Sequence, residues 1–290
     1  MESEEPSHLV FERYVISLVA IACAIVFIVI AAIGPLGLGI MEHRSSQSVI
    51  WQLMGQDLAD LILITPILLI GGLAHLLRKE WAKYFLILPP VTLIYTGLTY
   101  GIGQEWNNPA YSGNIEHYFG LLIFLVIGGL ILGMSSLSMF EPDDAPTFNP
   151  RNLKIYAAVM SVLLLLFAMM WLGEVFQVLN TGGTESGTYE NTPNVFWVIR
   201  YFDLGLTIPL GFISLYLLLT RPRTAYPVIL LFFGFFVTLG TAVNAMGWVM
   251  FLNGDPELQI PALVIFGILG ALSYVGLLYL VKDKLRRITS

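Results

Sequence analysis

Arg200-Tyr-Phe-Asp203-Leu-Gly-Leu-Thr-Ile-Pro209 opens an apolar run that ends at Arg221, and Asp60-Leu-Ile-Leu-Ile-Thr-Pro66 opens another that ends at Arg78. In both, six residues separate Asp from Pro and twelve separate Pro from Arg. Gly97 and Gly240 hold the same offset of 143 residues without a gap. Matched leucines carry little weight in an apolar chain. Matched Asp, Pro, Arg and Gly carry more, because such residues are costly or conformationally demanding inside an apolar helix.

Composition sets the surroundings of these runs. Of 290 residues, 57% are hydrophobic and 12% charged, and the mean hydropathy is +0.78. Soluble domains carry about 25% charged residues, so this chain lacks the polar surface to face water on all sides. It is an all-α polytopic integral membrane protein, because a chain in hydrocarbon must satisfy its backbone hydrogen bonds internally. Eight apolar segments reach the roughly 20 residues needed to cross a bilayer. They fall near residues 14–37, 53–77, 83–104, 116–140, 154–178, 195–219, 225–251 and 260–281. The lone cysteine, Cys23, excludes an internal disulfide and any paired-cysteine site. The acidic start Met1-Glu-Ser-Glu-Glu5, where a signal peptide would be basic, implies a retained first segment.

Eight spans with the N-terminus inside put twelve of the fourteen basic residues on the inner side and leave only Arg44 and Arg200 outside. By the positive-inside rule both termini are expected in the cytoplasm of a prokaryotic cell bounded by this membrane. The longest inner connection, Glu141-Pro-Asp-Asp-Ala-Pro-Thr-Phe-Asn-Pro150, is rich in proline and acid and falls halfway along the chain. This divides the chain into a four-helix repeat over 1–140, a linker over 141–153 and a second repeat over 154–290. Four spans per copy make the repeats parallel, related by an axis along the membrane normal. Tyr14 and Tyr156, at offset 142, add weaker support.

Gly55-Gln-Asp-Leu, Pro66, the Arg78-Lys turn and Tyr95, with Tyr201-Phe-Asp-Leu and Pro209, resemble blocks in a group of uncharacterised multi-pass membrane proteins of bacteria and archaea. The blocks cover about a quarter of the chain. The resemblance implies the membrane class and no activity.

The candidate binding or ion-coupling residues are Asp57, Asp60, Glu174, Arg200 and Asp203. Ionisable groups in a span are expensive and point to function. Asp57 and Asp60 lie three apart and share a face, as do Arg200 and Asp203. At 1.5 Å per residue, Arg221 to Asp203 and Arg78 to Asp60 each span about 27 Å, so these carboxylates belong to the outer edge of the core. There they can complement a helix start, neutralise a neighbouring arginine, or surround a site. Pro66 and Pro209 are expected to kink their helices at matched depths, and Pro89-Pro90 to interrupt the third. Gly129 and Gly133 form a GxxxG pattern for close packing within the chain or in an oligomer. Tryptophans and tyrosines near the span ends, Tyr100 among them, read as an interfacial belt.

No paired-histidine or cysteine spacing points to a metal or haem, no cofactor motif is present, and nothing implies a nucleic-acid partner. The basic Lys282-Asp-Lys-Leu-Arg-Arg287 reads as an anchor to the inner leaflet. Three functions fit: a small-solute or ion transporter or channel with an acidic outer mouth, a non-catalytic subunit or assembly factor, and an enzyme acting on a lipid or isoprenoid.

Overall fold

The computed structural model describes residues 7–184 and 187–289. The acidic N-terminal segment and the side chains of Arg286 and Arg287, on which two of the expectations rest, lie outside the described residues. The described chain is 80% helical, contains no strand, and holds eight helices long and apolar enough to cross a membrane. They are α1 (Ser7–Ile33), α2 (Gln47–Leu76), α3 (Glu80–Ile102), α4 (Ile115–Ser138), α5 (Pro150–Thr181), α6 (Pro193–Thr220), α7 (Tyr226–Leu252) and α8 (Ile260–Thr289). Several helices depart from the expected bounds: α1 starts and stops earlier, α2 starts six residues earlier and α8 continues to Thr289. α5 runs 32 residues, because the Asn149 side chain caps it by accepting from the Arg151 and Asn152 amides and Pro150 takes the first turn. A short helix, Gly187–Asn191, fills part of the α5–α6 connection.

The opening motif has a definite backbone form. Asp60–Ile64 and Asp203–Thr207 are both five-residue π-helical turns inside α2 and α6, and they start 143 residues apart. The Thr65 amide reaches back to the Asp60 carbonyl and the Ile208 amide to the Asp203 carbonyl. Pro66 and Pro209 follow directly. A proline ring clashes with the carbonyl four residues earlier, and a widened turn moves that carbonyl aside. The kinks expected from the prolines thus take the form of π turns. α3 breaks between Leu86 and Pro90, as Pro89-Pro90 dictates.

The centre of the bundle is the crossing of α3 and α7. Thr92 and Thr238 hydrogen-bond there at 2.5 Å, and the Tyr95 and Phe235 rings lie 5.9 Å apart. Gly55 lets α2 lie directly on α7: a Cβ at that position would come within 2.5 Å of the Met246 backbone nitrogen. Gly129 serves the same purpose between α4 and α3, where a Cβ would meet the Pro90 carbonyl at 2.6 Å, and Gly133 faces the Pro90 ring. Small residues at such crossings let helices gain dispersion contact where no hydrophobic force drives association.

The first half is filled by a single cluster centred on Ala24, Phe27, Ile64, Leu68, Leu93 and Leu125, all fully buried. At the basic end, Asp144 joins the linker to both halves through Lys83 at 2.5 Å and Lys284 at 3.1 Å. Burial would raise this carboxyl, but hydrogen bonds from Lys83, the Glu141 amide and Lys284 outweigh it and hold it at about 2. Lys284 and Lys282, whose ammonium donates to the Thr147 carbonyl at 3.0 Å, thus tie the start of the basic tail to the linker.

Candidate functional site

The five candidate residues divide into two groups. Asp57 and Asp60, on α2, are 0% and 1% exposed. Tyr100 donates its hydroxyl to Asp57 Oδ1 at 3.0 Å, and the Gln56 amide donates to Asp60 Oδ1 at 2.7 Å. Asp60 Oδ2 has no hydrogen-bond partner. Tyr100 is therefore no interfacial residue, contrary to its position near a span end. It is 3% exposed and its ring meets His43 edge-on at 5.3 Å. Gln104 closes the layer above, donating to the Tyr100 carbonyl at 2.9 Å and to His43 Nδ1 at 3.0 Å. Burial lowers the His43 imidazole to about 4, which matches its role as the neutral acceptor of that hydrogen bond.

Glu174, Arg200 and Asp203 form the second group, around a cavity of about 240 Å³. The Arg200 guanidinium pairs with Glu174 Oε2 and donates to the Phe196 carbonyl at 3.5 Å. It lies 4.2 Å from the Trp171 ring centre and 4.0 Å from that of Phe196. Arg200 thus reaches across to α5 instead of neutralising Asp203 on its own helix. Planar, weakly hydrated arginine suits this slot better than lysine would. Asp203 is held by three donors: the Trp171 indole to Oδ2 at 2.8 Å, Thr207 to Oδ1 at 3.1 Å and Tyr95 to Oδ1 at 3.2 Å. The π turn sets this up, since it places Asp203 and Thr207 four apart on a widened coil that faces Tyr95 of α3.

The cavity begins at the connections of the acidic end, where Gln104, Glu257 and Gln259 contribute to its wall. Gln259 donates to Glu174 Oε1 at 3.2 Å, and Asn191 to Glu257 Oε1 at 3.0 Å. It descends between α2, α3, α5, α6, α7 and α8 to Thr207, Phe236 and Leu269. Leu269 is nine residues into α8, a depth of about 14 Å. Below, Met160, Leu164, Leu215 and Phe236 pack into a closed cluster. The wall is mainly apolar, with Phe167, Trp171, Val243 and Phe266 prominent.

Asp57 and Asp60 do not line this cavity, whereas Gln56, Tyr100 and Gln104 of their cluster do. Sequence reasoning set all these carboxylates at one depth but did not separate the two sides of α2. It also missed Trp171, Tyr95 and Thr207 as partners of Asp203. The Trp171-Leu-Gly-Glu174 spacing, one helical turn, was the available signal. His75 and His117 lie at opposite ends of the bundle, His75 beside the α2–α3 turn and His117 in the first turn of α4. Among the described residues, no group of three or more His, Cys, Asp or Glu side chains is arranged to hold a metal ion.

The fold and site define an eight-helix integral membrane protein with a cavity open toward its acidic end. No family model matches the chain, and no curated protein or solved structure shows significant similarity to it.

Proposed function

We propose that this protein binds, and moves across the membrane, a small amphipathic solute with an apolar body and a cationic or hydrogen-bond-donating head. The observation that carries this reading is the cavity itself. It is open at one end of the bundle, closed by packed side chains at the other, and mainly apolar, with polar groups at its mouth and around Glu174, Arg200 and Asp203. Apolar pockets with a few placed polar groups are the usual form of small-molecule sites. The acids outnumber the bases there: Glu174, Asp203 and Glu257 stand against Arg200, which is already paired and covered by two rings. A positive head gains from that balance, and the apolar body gains from Trp171, Phe167 and Phe266. The excess of basic residues at the other end supports an outward-facing mouth.

We further read the chain as two copies of one four-helix unit. Two observations beyond the sequence offset support this. The π turns recur at 143 residues. The contacts between halves are also reciprocal. At that offset Thr92 corresponds to Phe235 and Tyr95 to Thr238, and the contacts are Thr92 with Thr238 and Tyr95 with Phe235. Likewise Gly55 corresponds to Val198 and Gly103 to Met246; Gly55 abuts Met246, and Gly103 faces Val198. Such exchange is the mark of a two-fold axis. The copies then differ in one respect: the first packs around a filled core, whereas the second supplies most of the wall of the cavity, which α2 and α3 of the first complete.

The test is ligand-dependent stability of the purified protein against straight-chain primary alkylamines and the matching carboxylates. Saturable stabilisation by amines, reduced in Glu174→Gln and Asp203→Asn, is expected, followed by amine uptake into proteoliposomes. No stabilisation by either series would overturn the reading.

A further inference from the structure

A second concavity, about 1270 Å³, lies at the basic end between the start of α1, the α2–α3 turn and the end of α4. Arg13, Arg78, Lys79 and Lys83 bring four positive charges to it, and Glu12, Glu80, Glu141 and Asp144 four negative ones. Lys83 and Asp144 bond to each other. Deeper in, Val15, Ile16 and Ile131 make the wall apolar. The surface of these helices is apolar too: Phe11, Leu18, Leu77 and Met134 are 61–72% exposed, as befits side chains that face lipid tails.

Arg78 is the only described non-glycine residue with a left-handed backbone, at φ 59°. It ends α2 in a Schellman turn, with the Lys79 amide bonded to the Ala74 carbonyl at 2.9 Å. Glycine is the usual residue there, and a side chain costs about 1 kcal/mol. Strain of this kind persists where the side chain is needed. Here it directs the chain so that Arg78 and Lys79 both stand on the lip of the cleft.

We propose that this cleft binds the headgroup of one phospholipid. The phosphate diester lies against Arg13, Arg78 and Lys79 through charge-assisted hydrogen bonds. The amine or hydroxyl groups beyond the phosphate are taken by Glu12, Glu80 and Glu141. The acyl chains continue along α1 and α4 past Ile16 and Ile131. The equal count of acids and bases favours a headgroup carrying both an anion and donors over a free phosphate ion, which the acids would repel. Basic pockets between spans at the positively charged side of membrane proteins commonly hold lipid headgroups.

The experiment is native mass spectrometry with thermal unfolding of the detergent-purified protein. Wild type, R78Q/K79Q and R78G are compared, each with added phosphatidylethanolamine, phosphatidylglycerol or inorganic phosphate. Wild type should retain one phospholipid and be stabilised by added phospholipid but not by phosphate. R78Q/K79Q should lose affinity by about tenfold or more for each charge-assisted contact removed. R78G separates folding from binding: glycine relieves the backbone, so the lipid-free protein should unfold at a higher temperature while binding lipid more weakly. Three results would overturn the proposal: no retained phospholipid in wild type, equal retention in R78Q/K79Q, or stabilisation by inorganic phosphate that matches that by lipid.

Discussion

The indole of Trp171 on α5 donates to Asp203 Oδ2 on α6 at 2.8 Å, while Arg200, one turn earlier on α6, returns to Glu174 on α5. The two helices are thus joined twice, in opposite senses of charge, along the wall of the cavity. These polar links help hold α5 against α6 at the acidic end.

Trp171→Phe keeps the ring and removes one donor. A hydrogen bond to a charged or strongly polar group contributes about 1.5–3 kcal/mol. The variant should therefore unfold at a lower temperature than wild type by several degrees, and Asp203→Asn should lower it too. Denaturation of Trp171→Phe, Asp203→Asn and the double variant measures this. Sub-additive losses are expected, since both changes break one contact.

Arg200 and Glu174 are both largely buried, with side chains 7% and 17% exposed. Removing one partner strands the other, at a cost of about 3–5 kcal/mol for a buried pair. Arg200→Gln and Glu174→Gln should each destabilise strongly, and the double variant should recover part of the loss. Arg200→Lys should not restore wild-type stability, because an ammonium cannot lie flat between the Trp171 and Phe196 rings. Full stability in Arg200→Lys would contradict the ring-sandwich account.

Gly55 tests the centre of the bundle. Any side chain at this position meets the Met246 backbone, which cannot rotate away. Gly55→Leu should prevent folding or cost well above the roughly 1–3 kcal/mol of ordinary overpacking. Gly120→Leu, where a Cβ meets nothing within 4 Å, is the control and should be near neutral.

His43 predicts a pH dependence. Its folded pKa of about 4 lies below the ordinary value of 6.5. The unfolded chain therefore binds more protons between those values, and stability falls as pH drops from about 6.5 toward 4. The loss from this residue is at most about 3.5 kcal/mol, at roughly 1.4 kcal/mol per pH unit. His43→Gln should flatten that part of the melting-temperature profile. An unchanged slope would assign the dependence to another group.

Much of this fold was legible because hydropathy and charge are one-dimensional signals. Span number follows from apolar runs, and the matched Asp, Pro and Arg mark equal depths on α2 and α6. The π turns were visible only as prolines, since a proline announces a disturbed helix but not its form. Rotation about each helix was least legible. Asp60 and Asp203 share a depth and a backbone form, yet one faces packed side chains and the other a cavity. The difference lies in the neighbours: Ala24 and Phe27 of α1 belong to the cluster that fills the first half, whereas α5 presents Trp171 and Glu174 to open space. Tyr100 was misread for the same reason, as its distance from the helix end says nothing of the direction it faces.

The central claim is that water and solutes enter the second half of the bundle from its acidic end, and cysteine accessibility tests it most directly. The only native cysteine, Cys23, is buried. Val243→Cys and Ala262→Cys lie on the cavity wall, and Leu68→Cys lies in the packed first half. A membrane-impermeant thiol reagent, applied from the acidic side of intact vesicles, should modify the first two rapidly, leave Leu68→Cys and native Cys23 unmodified, and be slowed by a bound alkylamine. Reaction at Val243→Cys and Ala262→Cys no faster than at Leu68→Cys would contradict the account.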